Sequence, residues 1–380
     1  MILSRPLLLR AWRGAGALAL TALLLACSSA PNRPEPAPLP PDPKLLGMRQ
    51  VWSLEIDKVE FPLVLQVAGN TVGVASSAGQ VSLLDGRTGE VQWRAEVGTP
   101  LNAGVGHDGR MAAVVTTENE LVALQEGREL WRQRLNAPSY TAPLVAGARV
   151  FVLGADRSVS AYDGQSGRRL WHQTRSGEAL VLRQPGVLIP VDDTLVVGLA
   201  GRLAGLNPLN GTPRWEVPIA TPRGTNDVER LVDLVAGVAR QGSVVCTRAF
   251  QAALGCVDAA RGALVWSKPA AGASGLSGDA SLLLGVEFDG TVVAWRPKDG
   301  ERAWSTNQLR YRKLSSPLLL GPALVVGDDA GRLHFLARQD GALQTRIETD
   351  GTPIAATPVL VGSTVVVVTR AGRVLGLRPE

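Results

Sequence analysis

The strongest constraint on this chain is a repeat. A unit reading Gly79-Gln-Val-Ser-Leu-Leu-Asp85-Gly-Arg-Thr-Gly89-Glu-Val-Gln-Trp93 recurs from Arg157 to Trp171, Gly201 to Trp215, Ala252 to Trp266 and Gly290 to Trp304, always with fourteen positions from start to Trp. Asn119 to Trp131 is the same unit two residues shorter. Gly331 to Thr345 keeps the length and loses the Trp, and Gly372 opens one more copy, making eight starts. Each unit reads as a turn, an alternating strand, a tight Asp-x-x-Thr/Ser-Gly connection and a further strand that opens on Trp. Asp85 and Asp163 can accept backbone hydrogen bonds in that connection. Gly89, Gly167, Gly211, Gly262, Gly300 and Gly341 supply a left-handed backbone there. Two more strand-like runs precede each unit, such as Ala142 to Val145 and Val150 to Gly154, so each repeat holds four strands.

Four antiparallel strands about every 40 residues, with an indole at a fixed place, describe blades around an axis. A lone blade cannot bury both faces, so Trp52, Trp93, Trp131, Trp171, Trp215, Trp266 and Trp304 are expected to wedge between neighbouring blades. The eighth start, Gly372, would need its Trp near position 386, beyond Glu380. Gln50-Val51-Trp52-Ser53-Leu54 carries a Trp with no start ahead of it. The amino-terminal strand should therefore complete the last blade and close an all-β, eight-bladed propeller over residues 45–380.

The composition agrees: 45% hydrophobic residues, 42 glycines and a mean hydropathy of +0.10 provide a globular, turn-rich chain and no polytopic membrane protein. Its amino end has a different logic. Residues 1–26 combine Arg5, Arg10 and Arg13 with an apolar stretch from Ala15 to Ala26, the pattern of a removable signal peptide. Leu24-Leu25-Ala26-Cys27 resembles the bacterial lipobox, which makes Cys27 the expected site of lipidation and membrane anchoring. By the same resemblance Ser28 directs the protein to the outer membrane, with its body on the periplasmic face. Ser28 to Pro43 carries seven prolines, so residues 27–44 are expected to act as an extended tether. Without the leader, 36 basic residues face 34 acidic ones with no Lys/Arg cluster, which excludes nucleic acid as a partner.

The repeat spacing is uneven. From each Trp to the next start the distance is 24 to 27 residues, except for 30 between Trp171 and Gly201 and 37 between Trp215 and Ala252. The excess falls near Arg175 to Pro190 and Thr221 to Leu234, in two adjacent interblade connections. Neighbouring insertions mark a working surface, although tolerated loop expansion would look the same. The first holds Ala179-Leu180-Val181-Leu182-Arg183 and the second Glu229-Arg230-Leu231-Val232-Asp233-Leu234. Apolar residues beside an Arg and an Asp suit a docking patch, with Arg183 and Asp233 both expected to be exposed. Leu180 and Leu182 could instead fold back onto their blades. Cys246 and Cys256 flank a hairpin turn and could form a disulfide or remain free thiols, depending on register.

Chemistry-bearing patterns are sparse. His107, His172 and His334 have no metal-ligand spacing. Gly104 to Gly109 matches G-x-G-x-x-G but precedes a strand-like run, where no helix exists to bind an anion. Asp192 and Asp193 are adjacent on an extended segment and point to opposite sides. No cofactor, metal or catalytic constellation is expected.

The recurring Leu-Asp-x-x-Thr-Gly-x-x-x-Trp resembles the repeats of pyrroloquinoline quinone enzymes. Lipobox, Pro-rich segment and eight such blades together resemble more closely the BamB family, propeller lipoproteins of the outer-membrane β-barrel assembly (BAM) complex, and the resemblance spans the mature chain. It implies a non-enzymatic scaffold that docks on the POTRA domains of BamA and assists nascent outer-membrane proteins. The family's contact motif Leu-x-Leu-Arg is intact here as Leu180, Leu182 and Arg183. Its Arg-Leu-x-Asp-Val-Asp is matched by Arg230, Leu231 and Asp233, with Val235 in place of the second Asp. A quinone dehydrogenase would be longer and carry a pair of adjacent cysteines, which this chain lacks. A propeller module with some other partner is the remaining alternative.

Overall fold

The computed structural model describes residues 34–175, 180–222, 224–226 and 229–380, so the expected signal peptide, residues 1–26, and Cys27 lie outside the described residues. Eight four-stranded antiparallel sheets follow one another along the chain: blade 1 over residues 66–96, blade 2 over 106–134, blade 3 over 144–173, blade 4 over 188–218, blade 5 over 234–269, blade 6 over 277–306 and blade 7 over 318–348. Blade 8 takes three strands from 359–379 and its outer strand, Met48–Glu55, from the amino end. That strand pairs antiparallel with Arg373–Pro379 and bulges between Gln50 and Trp52. The outer strands of the other blades bulge at the corresponding point, as between Arg169 and Trp171 or Pro213 and Trp215. The inner strand Gln66–Ala68 lies beside Val359–Val361, which closes the ring.

Burial accounts for the sequence pattern. Second strands such as Thr71–Ala75, Met111–Val115 and Thr364–Val368 are buried at every residue because blades cover both their faces, so they are apolar apart from an opening Thr. Outer strands face solvent and keep charged residues, as Val91–Glu96 does around Trp93.

The repeat Gly and the Trp are two halves of one contact. A Cβ on Gly89, Gly167, Gly211 or Gly300 would lie 2.6 Å from the indole of Trp52, Trp131, Trp171 or Trp266 of the preceding blade, and each of these glycines has φ between 69° and 77°. Any other residue would therefore be strained and would push the blades apart. Trp131, Trp171, Trp266 and Trp304 also donate their indole N–H to the carbonyls of Gly164, Pro208, Pro297 and Arg338 in the next blade, at 2.7 to 3.0 Å. The turn itself is set by the Asp. Asp85 Oδ1 accepts from the backbone N–H of Arg87 at 2.8 Å, and the Arg87 side chain holds this carboxyl below its ordinary pKa.

Cys246 and Cys256 are directly opposed on the second and third strands of blade 5 and form a disulfide. Both are buried.

The Pro-rich segment departs from a free spacer. From Ala37 onward it lies against blades 6 and 7. Ala37 N–H donates to the Arg310 carbonyl at 2.9 Å and Leu45 N–H to the Gln344 carbonyl at 2.8 Å, while Leu39 packs against the buried apolar cluster that includes Leu309, Leu324 and Leu336. Proline-rich backbone makes no internal hydrogen bonds, so its carbonyls remain available. Arg312 and Arg346 donate to two of them, those of Ala37 and Pro40, at 2.9 and 3.1 Å.

Candidate functional site

In an antiparallel blade the connection to the next blade emerges on the same rim of the ring as the turn between the second and third strands. Both long insertions lie on this rim, between Gln173 and Leu188 and between Pro218 and Leu234. Within them, residues 176–179, 223, 227 and 228 lie outside the described residues, Ala179 among them.

Asp233 joins the two connections. Its Oδ2 accepts the Leu182 N–H at 2.8 Å, and its Oδ1 meets Arg157 Nη2 at 3.4 Å. Arg157 Nη2 also donates to the Leu180 carbonyl at 3.0 Å. Arg157 sits in the second-to-third turn of blade 3 and is 8% exposed. The seam continues where Ala236 N–H donates to the Pro185 carbonyl at 2.7 Å and Gly186 N–H to Thr141 Oγ1 at 2.8 Å. A shallow cleft bordered by Tyr140, Leu153, Arg157, Leu182 and Asp233 runs between the connections.

Outside the seam, Leu180 is 39% exposed and Arg183 is exposed, its guanidinium carbon 5.6 Å from the centre of the Tyr140 ring. That cation–π contact steadies a long side chain without burying its charge. Leu182 is half-buried. Arg230 is exposed on a turn in which its N–H donates to the Asn226 carbonyl at 3.1 Å and Glu229 Oε2 accepts the Thr225 N–H at 2.9 Å. The backbone bond from Thr225 holds the Glu229 carboxyl below its ordinary pKa.

Two expectations change. Asp233 is not an exposed acid: its side chain is 16% exposed and both oxygens are engaged by the neighbouring connection and blade. Val235, at the position of the family's second Asp, is 3% exposed and bridges to Gly186, so this position belongs to the core here. Arg157 was singled out in the sequence only as a repeat start. It occupies a turn position with φ of 61°, where Gly79, Gly290, Gly331 and Gly372 stand in other blades. An Arg at a left-handed position costs about 1 kcal/mol, and that substitution is the signal that could have found it.

The remaining polar candidates satisfy one another. His107 Nε2–H donates to the Gln66 carbonyl at 2.9 Å while Nδ1 accepts from Gly109 N–H at 3.2 Å, and burial holds this imidazole below its ordinary pKa. His172 Nδ1 lies 2.8 Å from Ser160 Oγ. Asp192 pairs with Arg240 of blade 5, and Asp193 with Arg214 of its own blade. Gly106–His107 and Met111–Val115 are strands, so the glycine-rich stretch opens no helix. Among the described residues no three His, Cys, Asp or Glu side chains converge as metal ligands.

The molecule is a closed eight-bladed propeller whose most elaborated feature is a pair of cross-stitched surface connections, with an outward Leu and Arg. The family model described as "Outer membrane protein assembly factor BamB" matches residues 77–306. An outer membrane protein assembly factor BamB of Burkholderia pseudomallei is 35% identical over 93% of this chain and 94% of its own length, and that of Bordetella pertussis is 32% identical over 97% of each. The chain belongs to the BamB family. The crystal structure of BamB from Moraxella catarrhalis, 24% identical, superposes with a TM-score of 0.78 over 87% of this chain and 99% of its own, and shares the fold.

Proposed function

We propose that this chain is a non-enzymatic scaffold subunit of the BAM complex, anchored by lipid on Cys27 at the periplasmic face of the outer membrane, and that it docks on the POTRA domains of BamA. Its relatives are named as assembly factors, which supports a role in folding and insertion of outer-membrane proteins rather than catalysis. Leu180, Leu182 and Arg183 form the contact, with Arg230 beside them. Asp233 acts from behind by fixing the Leu182 amide. The observation that carries this reading is that single carboxylate: it ties two neighbouring connections together and leaves Leu180 and Arg183 facing outward. An aliphatic anchor beside an exposed guanidinium fits a partner with an apolar pocket rimmed by acid.

Reversing the charge with Arg183→Glu should lower co-purification of BamA by roughly tenfold, as for a close interfacial charge, with unchanged thermal unfolding. Undiminished co-purification of the folded variant would remove this surface from consideration. The anchor is tested separately by Cys27→Ala, which should release the protein into the soluble periplasm; retention in the membrane fraction would contradict it.

A further inference from the structure

The connection between blades 6 and 7, from Thr306 to Leu318, is where the amino-terminal segment attaches. Ala37, bonded through its N–H to Arg310 and through its carbonyl to Arg312, is the point at which the chain from Cys27 reaches the body. On the same rim stand two exposed aromatic rings. Phe288, in the second-to-third turn of blade 6, is 69% exposed and Tyr311 is 37% exposed. They are held together because Tyr311 N–H donates to the Asp289 carbonyl at 2.6 Å, while Arg310 pairs with Asp289 at 3.1 Å and lies 4.9 Å from the Tyr311 ring centre. Tyr311 has φ of 65°, a left-handed conformation that disfavours a large side chain. Lys313 is exposed next to them.

We propose that Phe288, Tyr311 and Lys313 form a membrane-contact surface that takes the phospholipid headgroup layer, and that the strap Ala37–Leu46 holds it there. This rests on the reading that Cys27 carries the lipid. Ten covalent steps separate Cys27 from Ala37, a reach of at most about 35 Å, so this edge of the ring cannot be carried farther from the bilayer. An aromatic pair flanked by basic side chains suits the headgroup region, where rings sit at the apolar boundary and ammonium or guanidinium groups meet phosphate. The chain's own connectivity selects this occupant over another protein: whatever else approaches the rim, the membrane is tied to this point.

The test uses the mature, lipid-modified protein in vesicles of phosphatidylethanolamine and phosphatidylglycerol with a nitroxide-headgroup lipid. With Cys27 acylated and Cys246 bonded to Cys256, a thiol introduced by Phe288→Cys or Leu209→Cys is the only one open to a fluorophore. Leu209 is 63% exposed on the opposite rim, in the turn between the third and outer strands of blade 4. Quenching should be several-fold stronger at the Phe288 position than at the Leu209 position. It should fall toward the Leu209 level in an Arg312→Ala/Arg346→Ala background that still floats with the vesicles and keeps its β-sheet spectrum. Equal quenching at the two positions in a protein that floats would overturn the membrane surface and leave the anchor standing. A wild-type protein that fails to float would overturn both. Strong quenching that survives the double substitution would refute the strap's part in the proposal.

Discussion

Two interblade connections on one rim of this ring solve the same problem in different ways. Between blades 3 and 4 the chain is lengthened and folded over, and Arg157 clamps it by donating to the Leu180 carbonyl and meeting Asp233. Between blades 6 and 7 the connection carries no such insertion, and the covering segment comes from 275 residues away: Arg312 donates to the Ala37 carbonyl and lies 3.8 Å from Asp328. In both places a nearly buried guanidinium takes one backbone carbonyl of the covering segment and one carboxylate, that of Asp233 in the adjoining connection in the first and that of Asp328 in a turn of blade 7 in the second. In the function proposed above, the first clamp serves a loop that presents side chains to a partner and the second holds a segment that leads to the membrane. A propeller rim is rigid, and an arginine in a turn is the device by which this one recruits extra backbone.

The comparison can be broken first at Asp233. Asp233→Ala removes the acceptor of the Leu182 amide and leaves the Arg157 guanidinium, 8% exposed, without its carboxylate. An amide left without its acceptor, together with the loss of the 3.4 Å contact between Asp233 and Arg157, should cost about 1 to 2 kcal/mol in urea unfolding, discounted because Asp233 is itself partly exposed. BamA binding should fall with it, whereas Arg183→Glu should lower binding alone. A stability loss under 0.5 kcal/mol would show that the two connections are not held by this carboxylate.

The strap is the weaker of the two. Arg312→Leu removes one charge-assisted bond to Ala37, but Asp328 keeps the His334 imidazole at 2.9 Å and the backbone amides of Ala330 and Arg332, so no carboxylate oxygen is stranded. The expected cost is about 1 kcal/mol. Hydrogen exchange at Ala37 and Leu45 should speed up while the amides of Leu182 and Gly186 keep their protection. Equal acceleration at both places would mean that the clamps are coupled through the ring.

Much of this architecture was legible in the sequence, for physical reasons that differ by residue. The indole and the Gly that receives it are locked in one contact, so both recur, and counting them gave the blade number and the closing strand at Trp52. The two insertions announced themselves because extra length has to leave the ring. The orientation of Asp233 was not legible: whether a loop acid faces solvent or its own backbone depends on a contact with residue 182, fifty-one positions away. The strap was illegible for a related reason. Seven prolines specify an extended backbone and leave open what lies beside it, and the two arginines that capture it belong to distant repeats.

Acid provides the finest distinction between the clamps, because only the second contains an imidazole. His334 is fully buried; its Nε2–H donates to Asp328, and its Nδ1 accepts from Arg346 Nε–H at 3.4 Å. Burial holds this imidazole below its ordinary pKa against the pull of Asp328, and the guanidiniums of Arg346 and Arg312 add to the lowering. The unfolded chain therefore takes up the proton first, near pH 6.5, and stability present above that value is lost as the pH falls through it toward the folded pKa. Asp328 is also held low: burial would raise its carboxyl, but the bonds from His334 and from the Arg332 amide prevail. Its contribution is lost only as the pH falls below the usual carboxylate range. A proton on His334 Nδ1 would remove the acceptor for Arg346, which also holds the Pro40 carbonyl. Between pH 7.5 and 5.5 the strap amides should therefore lose protection by a few-fold, after correction for intrinsic exchange, while those around Leu182 hold steady. If both regions lose protection in parallel, the acid response belongs to the ring as a whole, with His107 the first group to substitute.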